Sequence, residues 1–96
     1  MKPIRILSPD LNLLGEVDNY LSFSFTQKYH KAGEFQIVTN FNIQNAYQLK
    51  MNRIIMLGSD KNKTGIIRHR EIQMNEQGEE ILTVRGPTLY LNMIYT

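Results

Sequence analysis

Cysteine is absent from the 96-residue sequence, so disulfide bonds and thiolate metal sites are excluded. The absence fits a reducing compartment. Long apolar runs are also missing, and none approaches the roughly 20 residues that a helix needs to cross a bilayer. The first residues, MKPIRILSPDL, lack the long apolar segment of a secretory signal. We therefore expect no membrane partner.

Histidine is scarce, and little else in the sequence is suited to catalysis. Only His30 and His69 are present, so a zinc site would need both of them and a carboxylate. His30 and Glu34 flank a predicted strand corner, where two surface side chains are the simpler interpretation. No serine lies in a Gly-x-Ser-x-Gly elbow, and no glycine pattern is suited to hold phosphates. We expect no enzyme activity, no cofactor and no metal site.

Positive charge is in small excess. Eleven Lys and Arg residues oppose nine Asp and Glu residues, which leaves a formal net charge of +2. A nucleic-acid-binding domain usually concentrates more positive charge on one face. The residues that could form a basic, aromatic-bearing sheet face are Tyr29, Arg68, Arg70, Arg85 and residues 61–63. The alternative is that Arg68 and Arg70 pair with glutamates on neighbouring strands, so nucleic acid is the weaker hypothesis for a partner.

The length predicts one β-rich domain that spans residues 1–96. Leucine, isoleucine, valine and phenylalanine make up 28 of the 96 residues, or 29%. Disordered chains typically contain less than about 20% of these residues, so we expect a packed core. A domain of this size buries only about 60–65% of the surface of its unfolded chain, which leaves a small stability margin.

Residues 20–39 carry the clearest pattern, which predicts two strands facing each other across a Lys-Ala-Gly corner. Apolar and polar side chains alternate in the first strand, as is typical of a half-buried strand. The polar side carries Ser22, Ser24 and Thr26. The side chains predicted to face the core are Leu21, Phe23, Phe25, Phe35 and Ile37. The phenylalanines therefore fit a core better than a platform for stacking bases.

Shorter runs predict the remaining elements. The strands are predicted at residues 4–7, 11–16, 20–29, 34–39, 53–57, 64–74 and 80–85. A bend or bulge is expected near Arg68, because neither side of that strand is cleanly apolar. Residues 43–49 predict a short helix capped by Asn42. Gly86 and Pro87 are predicted to end the last strand, with a final turn after them.

The sequence has no alternation of strands and helices, which disfavours a parallel sheet. Antiparallel strands of this length usually close into a barrel or sandwich, because closure protects their edges. The predicted fold is therefore mainly β: a small antiparallel β-barrel or sandwich of six to seven strands with one short helix.

Several segments, taken in order, carry a resemblance to a known family. They are ILSPD at 6–10, LGEVDNY at 14–20, the strand at 22–29, GEFQI at 33–37, RII at 53–55, TGII at 64–67 and EEILTVRG at 79–86. In this order the chain resembles the N-terminal hub domain of siphophage and prophage tail proteins. That family, described as siphovirus Gp37-like, includes baseplate hub and tail-associated lysin proteins. The resemblance covers nearly the whole chain, and none of its motifs contains a catalytic signature.

The resemblance implies a structural role in the virion tail, for a protein made in the cytoplasm of the bacterial host. A hub domain of this kind lies at the tail tip, links the tail tube to the adhesion device and forms a trimeric ring. Its partners would be copies of itself and other tail proteins. Such proteins are longer than this chain, so we expect residues 1–96 to be the first part of a longer tail protein.

Within that family, the polar side of the first long strand, Ser22, Ser24 and Thr26, suits a subunit contact. The alternative function, which rests on the basic residues above, is a small oligonucleotide-binding-type barrel that binds single-stranded nucleic acid.

Overall fold

The computed structural model describes residues 3–26, 33–58 and 63–89. The strands in these ranges are β1 (Ile4–Leu7), β2 (Leu13–Val17), β3 (Ser22–Thr26), β4 (Glu34–Asn40), β5 (Ile54–Leu57), β6 (Thr64–Ile66), β7 (His69–Met74) and β8 (Glu80–Leu89). One 3₁₀ helix, Ala46–Gln48, lies between β4 and β5. In this part of the chain no helix is long and apolar enough to cross a membrane.

All eight strands belong to one antiparallel sheet. Its order is β2-β1-β5-β6-β8-β4-β3, and β7 pairs with β8 outside this path. The prediction of a mainly β, antiparallel fold is confirmed. Among the described residues the sheet is open rather than closed into a barrel.

Strand β8 joins the two halves of this sheet. Along one edge it pairs with β4, from Ile81 opposite Asn40 to Pro87 opposite Glu34. Along the other edge it pairs first with β7 and then with β6. Strand β3 extends the sheet beyond β4, whereas β5, β1 and β2 extend it beyond β6. The longest described strand, β8, therefore pairs with three neighbouring strands.

A β-bulge separates β6 from β7. Gly65 lies opposite Thr88, and His69 lies opposite Arg85. Residues 66–68 therefore face residues 86–87, so this strand has one residue more than β8 over the same length. The bulge near Arg68 was predicted. Because it breaks the predicted strand 64–74 in two, the described residues form eight strands rather than the predicted six or seven.

Two glycines allow the close approach of backbones at this bulge. A Cβ atom on Gly86 would lie 1.9 Å from the carbonyl oxygen of Ile66, and one on Gly65 would lie 2.3 Å from the Phe35 ring. Both distances are far below van der Waals contact. The sheet can therefore bend here only because neither position carries a side chain.

The prediction that Gly86 and Pro87 end the last strand is wrong, since β8 continues to Leu89. Proline is usually excluded from central strands because it has no N–H to donate. Backbone N–H groups alternate between the edges of a strand, and that of Thr88 donates to the Gly33 carbonyl, on the β4 side, at 3.0 Å. The nitrogen of Pro87 therefore faces the bulge, where regular pairing is already interrupted. The final turn predicted after Pro87 is also wrong at its start, because residues 88–89 continue β8; the rest of that prediction lies outside the described residues.

The inner face of the sheet forms the core. Its fully buried members are Ile4, Ile6, Val17, Phe35, Ile37, Leu49, Ile55, Ile67, Leu82 and Val84. Phe23 and Phe25 are half-buried against this cluster, with ring centroids 6.2 Å apart and nearly parallel rings. The core assignment of Leu21 is wrong: 56% of this residue is exposed, because it precedes β3 at the edge of the sheet.

The segment between β4 and β5 closes one end of the core. The predicted helix over residues 43–49 is reduced to the 3₁₀ helix, because Asn45 has a left-handed backbone with φ of 69°. Asn42 is not its cap. The side chain of Asn45 instead donates a hydrogen bond to the carbonyl of Glu16 in β2, at 3.0 Å. This bond attaches the segment to the far half of the sheet.

Two arginine side chains also hold the segment between β4 and β5 in place. Arg70 in β7 donates from Nε to the Leu49 carbonyl at 2.9 Å, and its guanidinium lies 5.6 Å from the centroid of the Phe41 ring. Arg53 donates to the Gln48 carbonyl at 2.8 Å. The Gln48 carbonyl also accepts a bond from the Lys50 N–H, whereas Arg70 is the donor to the Leu49 carbonyl at the end of the short helix. Leu49 is fully buried as a result.

Substitution of Gly86 by alanine tests the close approach at the bulge. The added Cβ would overlap the Ile66 carbonyl, so β8 and β6 would have to separate. We expect the free energy of unfolding to fall by about 3 kcal/mol or more. Urea denaturation followed by circular dichroism measures this loss.

Gly78→Ala is the control for that substitution. Gly78 has φ of 80° but no atom within 4 Å of an added Cβ, so only backbone strain is introduced. Strain of this kind costs roughly 1–2 kcal/mol. An equal loss for the two variants would contradict the proposed steric role of Gly86.

Substitution of Arg70 by methionine tests the anchoring of the 41–53 segment. The Leu49 carbonyl would lose its charged donor and Phe41 its cation, so we expect a loss of about 2 kcal/mol in the free energy of unfolding. Arg85→Met on the neighbouring strand is the matched control. Arg85 is exposed, and its substitution should change stability by less than about 0.5 kcal/mol. Equal losses of stability in the two variants would show that Arg70 does not hold the 41–53 segment in place.

Candidate functional site

The outer face of the sheet carries polar side chains across four strands, β3, β4, β8 and β7. The pairing registers place them in rows that cross the strands. The central row contains Ser24, Gln36, Arg85 and His69. A second row contains Thr26, Glu34 and Pro87. The residues of these rows come from segments far apart in the sequence, and only the antiparallel pairing brings them together.

These rows line a cleft of about 450 Å³, which we call the outer cleft. The residues that line it are Ser24, Thr26, Gly33, Glu34, Phe35, Gln36, Arg68, His69, Arg85, Gly86 and Pro87. This volume lies within the range of about 300–1,000 Å³ that is usual for binding sites. Most of the lining side chains are hydrogen-bonding groups, so the cleft is suited to a polar occupant.

The bulge gives the outer cleft its basic character. Successive residues of a regular strand point to opposite faces. Arg68 and His69 nevertheless both line the cleft, because the extra residue of the bulge interrupts the alternation between them and β6. Arg85 lies directly opposite His69. Three basic side chains therefore meet at one end of the cleft.

Charge in the outer cleft is only partly balanced. Arg68 donates a hydrogen bond to the side-chain oxygen of Asn52, whereas the Arg85 side chain has no hydrogen bond or ion pair with any described residue. Among the described residues of the lining, Glu34 is the one that is acidic. With histidine neutral, two arginines oppose one glutamate, and the cleft is suited to a partner that carries negative charge.

The predicted contact residues lie on the expected side of β3. Ser22, Ser24 and Thr26 are all exposed, and Ser24 and Thr26 line the outer cleft. Ser22 lies one row further along, opposite Val38. Strand β3 ends the sheet among the described residues, so this face adjoins an unpaired strand edge.

The basic face predicted for nucleic acid is divided by the structure. Arg68 and Arg85 lie on the outer face, but Arg70 lies on the inner face, where it contacts Leu49 and Phe41. The alternative pairing of Arg68 and Arg70 with glutamates is also wrong, since within the described ranges neither forms an ion pair. Tyr29 and residues 61–62 lie outside those ranges.

The weaker catalytic candidates do not form a cluster in the part of the chain that the structure describes. No group of three or more His, Cys, Asp or Glu residues there could hold a metal ion. His30 lies outside the described residues, so its predicted relation to Glu34 is untested.

The sequence suggests Arg85 as part of a basic sheet face, but it does not predict that this residue lies beside Gln36 and Ser24. Gln36 is exposed, on the face of β4 opposite the buried Phe35 and Ile37. No local pattern predicts that β8 pairs with β4 in the register that places Arg85 beside Gln36. The sequence also does not predict that Arg68 and His69 both line the outer cleft. The pattern of residues 64–74 indicates an irregularity, but not which side chains it turns to the outer face.

Comparison with curated proteins gives no match. The family model described as "Siphovirus ReqiPepy6 Gp37-like protein" matches residues 3–94. That match takes in every described strand and the whole outer cleft, and it agrees with the family suggested by the order of segments in the sequence. The chain belongs to the siphovirus ReqiPepy6 Gp37-like protein family.

Proposed function

We propose that this protein is a structural component of the siphovirus tail, a hub domain at the tail tip that forms a ring with copies of itself. In this role it would link the tail tube to the adhesion device. The observation that carries the proposal is the family match over residues 3–94. The tail location and the ring are the finer steps that the proposal adds to family membership.

The surface of the sheet supports this role. An antiparallel sheet with unpaired edges can continue across a subunit boundary, because backbone groups at the edge are free to bond to another chain. Strand β3 lies at one end of the described sheet and carries the exposed Ser22, Ser24 and Thr26. We propose that this face contacts a neighbouring subunit.

The proposed role is not catalytic. It requires a rigid fold, faces that bind neighbouring subunits, and charged or polar groups that select the correct partner. The fixed rows of polar side chains on β3, β4 and β8 meet these requirements. We therefore propose that the partners are copies of this chain and other tail proteins.

Size-exclusion chromatography with light scattering on the full-length protein tests the ring. We expect an oligomer, with three copies as the simplest closed form given the family resemblance. A strict monomer at every concentration reached would contradict the ring. Salt-sensitive binding of single-stranded DNA by the same sample would instead support the oligonucleotide-binding alternative.

The double substitution Ser22→Glu, Ser24→Glu tests the contact face. Two negative charges at a subunit boundary would have to be desolvated, so we expect the dissociation constant of the oligomer to rise by roughly tenfold or more. Both residues are exposed, so the free energy of unfolding should change by less than about 0.5 kcal/mol.

The matched control is Gln44→Glu, which adds negative charge at an exposed position between β4 and the 3₁₀ helix. Its oligomer should resemble that of the unmodified protein. Assembly that is equally strong in the double variant and in the control would rule out β3 as a contact face.

A further inference from the structure

The turn between β7 and β8 carries concentrated negative charge. Residues 75–80 read NEQGEE, with three glutamates and no basic residue. Glu76, Glu79 and Glu80 are all exposed. We call residues 75–80 the acidic tip. Its charge is opposite in sign to that of the three basic side chains in the outer cleft.

The acidic tip is held in one conformation by its own hydrogen bonds. The side-chain oxygen of Asn75 accepts bonds from the backbone N–H groups of Gln77 at 3.0 Å and Glu79 at 2.9 Å. The backbone of Asn75 also pairs with that of Glu79, and Gly78 takes the left-handed conformation that the turn needs. A fixed tip loses little conformational entropy on binding, which favours its use as a contact element.

The acidic tip cannot reach the outer cleft of its own molecule. Both lie along the same strand, since Glu80 begins β8 and Arg85 lies five residues further along. At ~3.3 Å per residue, the strand keeps these positions roughly 17 Å apart. The two charged features are thus displayed at different places on one rigid hairpin, and any pairing between them must join two molecules.

From this arrangement we propose that the acidic tip of one copy of the chain binds the outer cleft of a neighbouring copy. The proposal rests on the ring proposed above and names the surfaces that would meet in it. The glutamates of the tip would lie against Arg68, His69 and Arg85, while Ser24 and Gln36 would donate hydrogen bonds to the same carboxylates. Arginine pairs well with carboxylates, because its planar donors match the two oxygens.

This contact is head-to-tail, because the two surfaces that meet are different. A head-to-tail contact produces a closed ring when the rotation between copies closes, and a filament when it does not. The long-range attraction between tip and cleft would also orient the copies as they approach. The inference therefore supplies the direction of assembly, which the polar face of β3 alone does not define.

Cysteine crosslinking tests the contact, and since residues 1–96 contain no cysteine, the introduced thiols are the only ones in this part of the protein. Gln77→Cys places a thiol at the tip, and Gln36→Cys places one in the outer cleft. The two single variants are mixed and oxidised. The control partner for Gln77→Cys is Gln44→Cys, an exposed glutamine outside the cleft lining.

We expect the tip-to-cleft crosslink to form roughly tenfold faster than the tip-to-control crosslink at ~0.1 M salt. The advantage should largely disappear at ~1 M salt, where the screening length falls from about 10 Å to about 3 Å. Equal rates at low salt would overturn the proposal.

Charge reversal separates electrostatic pairing from chance proximity. Arg85→Glu in the Gln36→Cys chain should remove the rate advantage, and so should Glu76→Lys with Glu79→Lys in the Gln77→Cys chain. When both reversed chains are mixed, opposite charges meet again and the advantage should return. Circular dichroism of each variant confirms that it is folded. Failure of the double reversal to restore crosslinking would also overturn the proposal.

The outcomes distinguish this inference from the proposed function. Oligomers of the full-length protein that lack the crosslink would overturn the tip-to-cleft contact and leave the ring standing. A crosslink in a protein that is missing from virions would support the contact and overturn the tail role.

Discussion

The two halves of the sheet join where Gly86 passes close to the carbonyl of Ile66. A side chain at this position would lie 1.9 Å from that oxygen, so only glycine lets β8 pass the bulge. Beyond it, β8 leaves β7 and pairs with β6, and the two halves of the sheet join. Phe35 lies at the same junction, because Gly65 leaves room for its ring. The inner core and the bend therefore depend on each other.

The same bulge shapes the outer face. It sets Arg68 and His69 side by side in the cleft and leaves Arg85 opposite them. The bend also fixes the direction of the β7–β8 hairpin, which ends in the acidic tip. The edges, the outer cleft and the acidic tip belong to one sheet and keep fixed positions relative to one another. The proposed structural role in a tail depends on this rigidity.

Much of this fold was predictable from local pattern, because strand alternation and turn chemistry act over a few residues. The pairing of β3 with β4 and the burial of Phe35 and Ile37 follow from such patterns. The continuation of β8 beyond Pro87 could not be predicted from local pattern, since it depends on a bulge in another strand.

The inward position of Arg70 was also hidden. It depends on the carbonyl of Leu49, a partner 21 residues away in sequence. The outer cleft was predictable only on its β3 side, because its remaining side chains come from strands whose register no local pattern defines.

Electron cryomicroscopy of the tail tip, in a virion that encodes this chain, tests directly whether the protein is a hub domain that forms a ring there. We expect a ring at the tip in which each subunit contains this eight-stranded sheet, with β3 at a subunit boundary. A tail tip without this sheet would contradict it.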